Sequence, residues 1–252
     1  SKLKEKKAEL ESINRVSVFY REYMCEVVGD EDQLFKEEYI NYYDGKLYQD
    51  EDGNSFLNLT NMDNSDTEED RPVNVFMGVD PASSTRQTAD YSTIVTVAID
   101  NKGNRFVLPY YRKRATPMAL AESIIEYFKL HKPEKVRIES VGYQEMLREY
   151  VKVRCEEKGI FIPGLEIKEI PRNSKSMRLE TMEPYFAQGK FYMKKDMQEL
   201  KDELLLYPRG KHDDLLDGLY YATKKIWQPH HKKFNKDEHN KIKNTKNQEN
   251  SW

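Results

Sequence analysis

Acidic side chains stand at the ends of predicted structural elements in three places along the chain. Asp80 ends the apolar run VNVFMGVD, and Glu139 lies near the end of the short run VRIES. Further along, the stretch KHDDLLDGL carries Asp213, Asp214 and Asp217. Carboxylate oxygens are the ligands that Mg²⁺ and Mn²⁺ prefer. Acids that meet in the fold would therefore form a site for such ions.

The chemistry that this kind of site supports is hydrolysis of a phosphodiester. Carboxylates that cluster without a cation repel one another and raise each other's pKa. Two divalent ions about 3.5–4 Å apart can activate a water molecule and stabilise the leaving oxygen. The acids therefore predict a nuclease with two ions of Mg²⁺ or Mn²⁺, provided that the fold brings them together.

Each acid also has an ordinary structural explanation. Asp80 precedes Pro81 and could open a turn. Glu139 could pair with Arg137, and Asp213 could cap a helix whose first turn favours acids. The case for chemistry rests on the combination, because every acid lies at an element end where the ends can meet.

The acids depend on a sheet for their placement. VNVFMGVD fits a strand buried on both faces, and STIVTVAID and RFVLPYY predict two further strands joined as a hairpin. A fourth strand carries Glu139, and LEIKEIP predicts a fifth. If the first and fourth strands are neighbours, their C-terminal ends lie about 5 Å apart, and Asp80 and Glu139 converge.

Helical patterns alternate with the later strands. Thr116 followed by Pro117 is typical of a helix start. The last helix is predicted from about Asp213 to Trp227, so that positions 213 and 217 share one face. This order predicts an α/β fold with a mixed sheet of five or more strands, flanked by helices on both faces. The remaining helices are predicted at Tyr143 to Lys158, Ser174 to Phe186 and Met197 to Leu206, with a short strand at GKFYM.

Composition divides the chain into four parts. Residues 1–43 are expected to be a linker or docking segment, and the acidic residues 44–72 a flexible or extended connector without a packed core. Residues 73–228 are predicted to form the compact domain. The lysine-rich residues 229–252 have the composition of a disordered tail.

Overall composition excludes several classes of protein. The chain has 252 residues, 34% of them charged, and a formal net charge of −3. The sequence has no apolar run of about 18 residues, so no membrane helix is predicted, and no secretory signal is apparent. Cys25 and Cys155 stand in no zinc-binding pattern, which favours two reduced thiols. The charge argues against a protein that coats DNA, but not against a nuclease.

Three blocks of sequence resemble the nuclease domain of phage and herpesvirus large terminase subunits. They are VFMGVDPASSTRQTADYSTIVTVAID, VRIESVGYQ and KHDDLLDGLYYA. Together with the upstream stretch FYREYMCEVVGDEDQLFKEEYINYY, which resembles the segment between the ATPase and nuclease halves, the resemblance spans residues 16–226. It implies an RNase H-like fold and two-metal cutting of concatemeric double-stranded DNA during genome packaging, in the host cell cytoplasm.

The resemblance also implies roles for particular residues. Asp80, Glu139 and the Asp213–Asp214 pair would carry the metals. Asp217 ranks lower as a metal ligand, because some relatives have no acid there. Asp90 resembles an auxiliary acid beside the site, although a turn residue before a strand is an equal explanation.

The resemblance also implies partner proteins. Members of the family work with a terminase ATPase domain, a small terminase subunit and a portal, and no membrane partner is implied. The chain contains no Gly-rich loop ending in Gly-Lys-Ser/Thr that would cradle ATP phosphates. We therefore expect a C-terminal nuclease fragment and not the motor itself.

Basic residues near the acids are candidate phosphate contacts. Arg172, Lys175 and Arg178 fall at helical spacing, and Lys211 borders the aspartate pair. His212 could position a water molecule or the scissile phosphate. An ordinary solvated charged face explains the same residues, so each remains open to both interpretations.

Two other functions remain open. RNase H-like sheets also serve resolvases and transposases, and the fold alone does not choose between these enzymes. A docking module of a packaging motor that has lost its chemistry is the non-catalytic alternative. With no recognition helix or zinc module evident, low sequence specificity is expected of any cutting.

Overall fold

The computed structural model describes residues 33–63, 65–82, 91–139, 144–162, 166–169 and 174–229, together with residues 5, 6 and 9. Asp90, Arg172 and Cys25 lie outside these ranges, as do most of the predicted linker and nearly all of the basic tail. What was predicted for those residues stays a prediction. None of the helices in the described ranges has the length and apolar character that crossing a membrane requires.

Six consecutive strands precede the helix that begins at Pro117, and helices interleave with the remaining strands from there onward. The strands are β1 (Asn41–Gln49), β2 (Ser55–Met62), β3 (Ser65–Asp80), β4 (Ser92–Asp100), β5 (Arg105–Val107), β6 (Tyr111–Lys113), β7 (Lys135–Glu139), β8 (Glu166–Glu169) and β9 (Phe191–Met193). The helices are α1 (Pro117–His131), α2 (Gln144–Glu157), α3 (Lys175–Glu180), α4 (Glu183–Ala187), α5 (Gln198–Leu206) and α6 (Asp214–Thr223).

Strand β3 is the centre of a mixed sheet. It pairs antiparallel with β4 and parallel with β7, and β7 pairs parallel with β8. Strand β4 also pairs with β5 as the predicted hairpin, and the side chain of Asp100 closes the turn by accepting from the backbone N–H of Lys102 and of Asn104. In the parallel pair, Val79 lies opposite Ile138, so the next residues, Asp80 and Glu139, end side by side.

Helices cover both faces of this sheet because its strands alternate the direction of their side chains. Met77 and Val79 point into a core shared with α1 and α2. Val95 and Val97 point into the opposite core, which the four helices α3 to α6 cover. Asp80 and Glu139 alternate with the residues of the α1–α2 core and therefore face the α3–α6 layer.

The acidic residues 44–72 form part of the folded domain, and the prediction of a flexible connector without a core is wrong. The pairings β3–β4–β5–β9–β1–β2–β3 close into a ring of six strands. Leu57 and Leu59 of β2 are fully buried inside it. The acids of the same segment lie at exposed or partly exposed positions.

The packed domain also begins earlier than the predicted Val73. Phe35 is fully buried, and its ring meets that of Phe186 edge to face at 4.9 Å. Ile40 lies in the same core. These two residues belong to the segment predicted as a linker, whose composition does not reveal that its end packs on its own domain.

Three predicted elements differ in extent. The third strand is split into β5 and β6 around Pro109, which cannot donate to a ladder. The helix expected from Ser174 to Phe186 is two short helices, α3 and α4. Helix α6 ends at Thr223, and Trp227 beyond it packs edge to face on Phe76 at 4.6 Å. By contrast, the Thr116 cap is observed: its side chain accepts from the backbone N–H of Ala119.

We expect Leu57→Ala to lower the free energy of unfolding by about 2–5 kcal/mol, because it empties a buried site inside the ring. Leu130→Ala makes the same change at a leucine that is 66% exposed and serves as the control. Urea unfolding of both variants measures the difference. A Leu57→Ala protein as stable as this control would mean that residues 44–72 are not part of the cooperative fold.

Candidate functional site

Asp80 and Glu139 lie side by side at the ends of β3 and β7, and their pKa values are shifted in opposite directions. Burial, the hydrogen bond to Glu139 and the charges of Glu139 and Asp217 raise the pKa of Asp80 well above its usual value. Burial opposes ionisation of Glu139 as well, but hydrogen bonds from Asp80 and Tyr221 and the positive charge of Arg178 outweigh it and lower its pKa. The two shifts favour a proton on Asp80 and an ionised Glu139.

Helix α6 brings a third acid to this pair because two glycines let it lie directly on the sheet. A Cβ at Gly78 would overlap the backbone of Gly218 and Ala222. A Cβ at Gly218 would lie 2.7 Å from the hydroxyl of Thr93. Asp217 precedes Gly218 and is thereby placed against the strand that ends at Asp80. Burial raises the pKa of Asp217, although Lys175 and Arg178 oppose this effect.

Tyr221 and Arg178 hold Glu139 in place. The Tyr221 hydroxyl donates to Glu139 Oε1 at 2.8 Å. The Nη1 atom of Arg178 donates to the same oxygen at 3.1 Å and to the Tyr221 hydroxyl at 2.9 Å, and lies 3.3 Å from Asp217 Oδ1. Burial raises the pKa of Tyr221, so it remains a donor. The four side chains form one network, which fixes the orientation of the Glu139 carboxylate.

Lys175 joins Asp217 to Asp213. Its Nζ lies 2.5 Å from Asp217 Oδ2 and 2.6 Å from Asp213 Oδ1. Burial would lower the pKa of Lys175, but the two carboxylates outweigh burial and raise it. Lys175 is the first residue of α3, after Ser174, whose side chain caps the helix by accepting from the N–H of Met177.

The structure separates the aspartate pair of the HDD motif. Asp213 stands at the N-cap position of α6, makes no capping hydrogen bond and binds Lys175 instead. Asp214 faces the other way: its Oδ2 accepts from the backbone N–H of Tyr91 at 3.3 Å and lies 3.6 Å from Nδ1 of His212. Asp217, ranked below this pair from the sequence, is the helix acid that reaches Asp80 and Glu139.

The candidate phosphate contacts fall into different settings. Arg178 is only 7% exposed and is engaged by carboxylates, so the alternative of a solvated charged face does not hold there, and its role as a phosphate contact stays a prediction. Lys175 is also paired with acids, although partly exposed. Lys211 is exposed and adjoins the partly buried His212. Arg172 lies outside the described residues.

A second cluster, which the sequence did not reveal, supports the outer side of α6. Glu203 of α5 accepts from the backbone N–H of Leu215 at 2.8 Å and lies 3.3 Å from Arg112 Nε. The guanidinium groups of Arg112 and Arg114 lie 3.8 and 4.2 Å from the centre of the Tyr91 ring. Glu203 sits in an ordinary helical pattern, ELKDELLL, so no sequence signal identifies it. Tyr221, by contrast, is four residues after Asp217, and helical spacing could have found it.

The oxygen donors fit a hard divalent cation. Asp217 Oδ1 is buried and makes no hydrogen bond, and its charge is met only by the ion pair with Arg178 Nη1 at 3.3 Å. The described residues contain no group of three acidic, histidine or cysteine side chains already arranged around a common point as metal ligands. Lys175 and Arg178 lie among the carboxylates and supply the positive charge instead. The donor set suits Mg²⁺ or Mn²⁺ better than zinc.

Fold and site together define a mixed α/β domain with carboxylates gathered at the ends of its central strands. The family model described as the terminase RNaseH-like domain matches residues 77–225, more than half of the chain. The chain therefore belongs to the terminase RNase H-like domain family, which confirms the predicted fold class and resemblance. No curated protein matches the chain.

Solved structures with similar folds are distant in sequence. The large terminase nuclease from thermophilic phage G20c is 18% identical, with 62% of this chain and 83% of that chain covered and a TM-score of 0.46. The P22 large terminase nuclease domain is 15% identical, covering 59% and 79%, with a TM-score of 0.43. The yeast mitochondrial Holliday junction resolvase is 14% identical, covering 58% and 76%, with a TM-score of 0.38.

The raised pKa of Glu203 leads us to expect that the free energy of unfolding depends on pH. Burial raises its pKa from 4.5 to about 8, helped by the charge of Asp214 and opposed by Arg112. The folded protein then holds a proton that the unfolded chain releases above its lower pKa. The stabilisation is fully present below pH 4.5 and is lost as the pH rises to about 8.

We expect Glu203→Gln to flatten this decline in the free energy of unfolding, which should be on the order of a few kcal/mol. Urea unfolding at several pH values between 5 and 8 measures it. Glu149→Gln, at an exposed glutamate paired with Lys152, is the control and should keep the wild-type slope. Equal slopes in Glu203→Gln and wild type would contradict the raised pKa.

Proposed function

We propose that this chain is a metal-dependent endonuclease that cuts concatemeric double-stranded viral DNA during genome packaging. The observation that carries the proposal is the meeting of Asp80, Glu139 and Asp217, where two strand ends and one helix converge. Their charges interact with one another and with those of Lys175 and Arg178, although the described residues hold no three ligands already arranged around one point. These acids suit a site that takes up cationic charge and works on a phosphodiester.

The cation would be held by Asp80, Glu139 and Asp217. Asp213 would lie beside them through its ion pair with Lys175, whereas Asp214 faces Tyr91 and His212. Two bound Mg²⁺ or Mn²⁺ ions would supply a water of lowered pKa and neutralise charge on the phosphodiester. Asp80 must release its proton for this, because carboxylate ligands bind metals in the ionised form. Tyr221 and Arg178 keep one Glu139 oxygen occupied, which leaves the other oxygen of that carboxylate to face the site.

The DNA would approach from the side of the first turn of α6. Lys211 is exposed there and would contact a backbone phosphate, with His212 beside it. Contacts of this kind position the duplex without reading its sequence, which accords with low sequence specificity. Arg172 and Asp90 remain candidates for a phosphate contact and an auxiliary acid.

Membership of the family suggests a setting for this activity. We propose that the chain works with a terminase ATPase domain, a small terminase subunit and a portal in the host cell cytoplasm. The G20c nuclease has been solved with magnesium, with zinc and with cobalt bound, so all three ions belong in the assay beside manganese.

Cleavage of supercoiled plasmid tests the proposal. We expect nicking and linearisation with Mg²⁺ or Mn²⁺ and none with EDTA. Asp80→Asn and Asp217→Asn should each reduce the cleavage rate by about a hundredfold or more. Loss of a metal ligand should reduce activity more than the roughly 10–100-fold that is typical when a residue that only supports a ligand is lost. Asp214→Asn should cost less, about tenfold, because that carboxylate faces Tyr91 and His212.

Asp66→Asn, at an exposed acid on β3 away from the site, is the matched control and should cut like wild type. Circular dichroism must show that each variant is folded. A wild type that is inert with every ion, or site variants that cut as well as Asp66→Asn, would leave a docking module as the better explanation. Strong preference for a four-way junction over linear duplex would point to a resolvase.

A further inference from the structure

Lys175 occupies a place in the site that a divalent cation would need. Its Nζ lies 2.5 Å from Asp217 Oδ2 and 2.6 Å from Asp213 Oδ1, so one ammonium group neutralises two carboxylates. An ammonium group and a metal ion on the same carboxylate oxygen lie close together and repel, and the shared oxygen compensates only part of that repulsion. A metal ion bound to that oxygen of Asp217 therefore competes with the ammonium group for its present position.

Arg178, the other cation of α3, is held differently. Its side chain is 9% exposed, and it donates to the Tyr221 hydroxyl as well as to Glu139. Removing it would leave a buried hydroxyl and two carboxylates without their partner. The Lys175 side chain is 32% exposed, and both of its ion pairs are with acids whose charge a metal ion could neutralise instead. Lys175 can turn to solvent without burying an unpaired charge, whereas Arg178 cannot.

We propose that Lys175 is a built-in counter-ion of the metal-free site, displaced by the divalent cation when it binds. This rests on the proposed function, because it presumes that the carboxylates are metal ligands. In the metal-free protein the ammonium group holds Asp213 and Asp217 together against their mutual repulsion. Its presence also weakens metal binding, since each ion must first displace it.

Mn²⁺ binding to the full 252-residue chain tests this by calorimetry and thermal unfolding, without any DNA or cleavage. Lys175→Met removes the charge and keeps an unbranched side chain of similar length. It should bind Mn²⁺ at least about tenfold more tightly than wild type. Without metal it should melt at a lower temperature, and Mn²⁺ should raise its melting temperature more than that of wild type.

Lys201→Met is the matched control. Lys201 is 22% exposed and pairs with Glu37 at 3.0 Å, so the variant loses one charge and one ion pair away from the site. It should keep the wild-type Mn²⁺ affinity. Lys175→Arg preserves the positive charge and should not bind Mn²⁺ more tightly than wild type, which provides a test if Lys175→Met does not fold without metal.

A further comparison separates local competition from a general effect of charge. In an Asp217→Asn background the gain from Lys175→Met should disappear, because the contested carboxylate is gone. Equal Mn²⁺ affinity in wild type and Lys175→Met, or a gain that persists without Asp217, would overturn the role of Lys175 alone. No Mn²⁺ binding by either protein at millimolar concentration would overturn the proposed function together with it.

Discussion

Helix α6 and strand β3 touch backbone to backbone, and the position of the acids depends on this contact. A Cβ at Gly78 would overlap the backbone of α6, and a Cβ at Gly218 would come too close to the side chains of Thr93 and Val95 on the neighbouring strand β4. The contact sets the depth at which α6 lies on the sheet. Asp217, one residue before Gly218, is thereby brought to the end of the strand that carries Asp80, two residues after Gly78. A helix held further out by side chains would leave its acids away from Glu139.

Bringing acids this close has an electrostatic cost that the surrounding residues offset. One proton on Asp80, the Tyr221 hydroxyl, Arg178 and Lys175 together limit the repulsion between the carboxylates. Each acts at a different point, and the cations come from a helix of only six residues. A divalent ion would concentrate the same charge at one point. The carboxylates can therefore stay close together without a metal ion and still attract a divalent cation.

Part of this site could be predicted from the sequence. The convergence of Asp80 and Glu139 follows from two short apolar runs that end in acids, because parallel neighbours bring such ends together. The split between Asp213 and Asp214 could not be foreseen, since it depends on the residue at which α6 begins. The ring built from residues 44–72 was missed for another reason. Its acids dominate the composition, and they hide the alternating Leu57-Asn58-Leu59 pattern that marks a strand with a buried face.

The aspartate doublet illustrates how a motif can mislead about its working parts. Successive residues of a helix point about 100° apart, so Asp213 and Asp214 cannot address the same point once the helix begins between them. Asp213 and Asp217 lie on one face and share Lys175, whereas Asp214 binds the N–H of Tyr91 on the other side. Asp214 thus ties the helix start to the strand that follows Tyr91, and Glu203 supports it from α5. In the proposed site the two acids of the doublet would therefore have different tasks: Asp213 pairs with Lys175 beside the other carboxylates, and Asp214 holds the start of the helix.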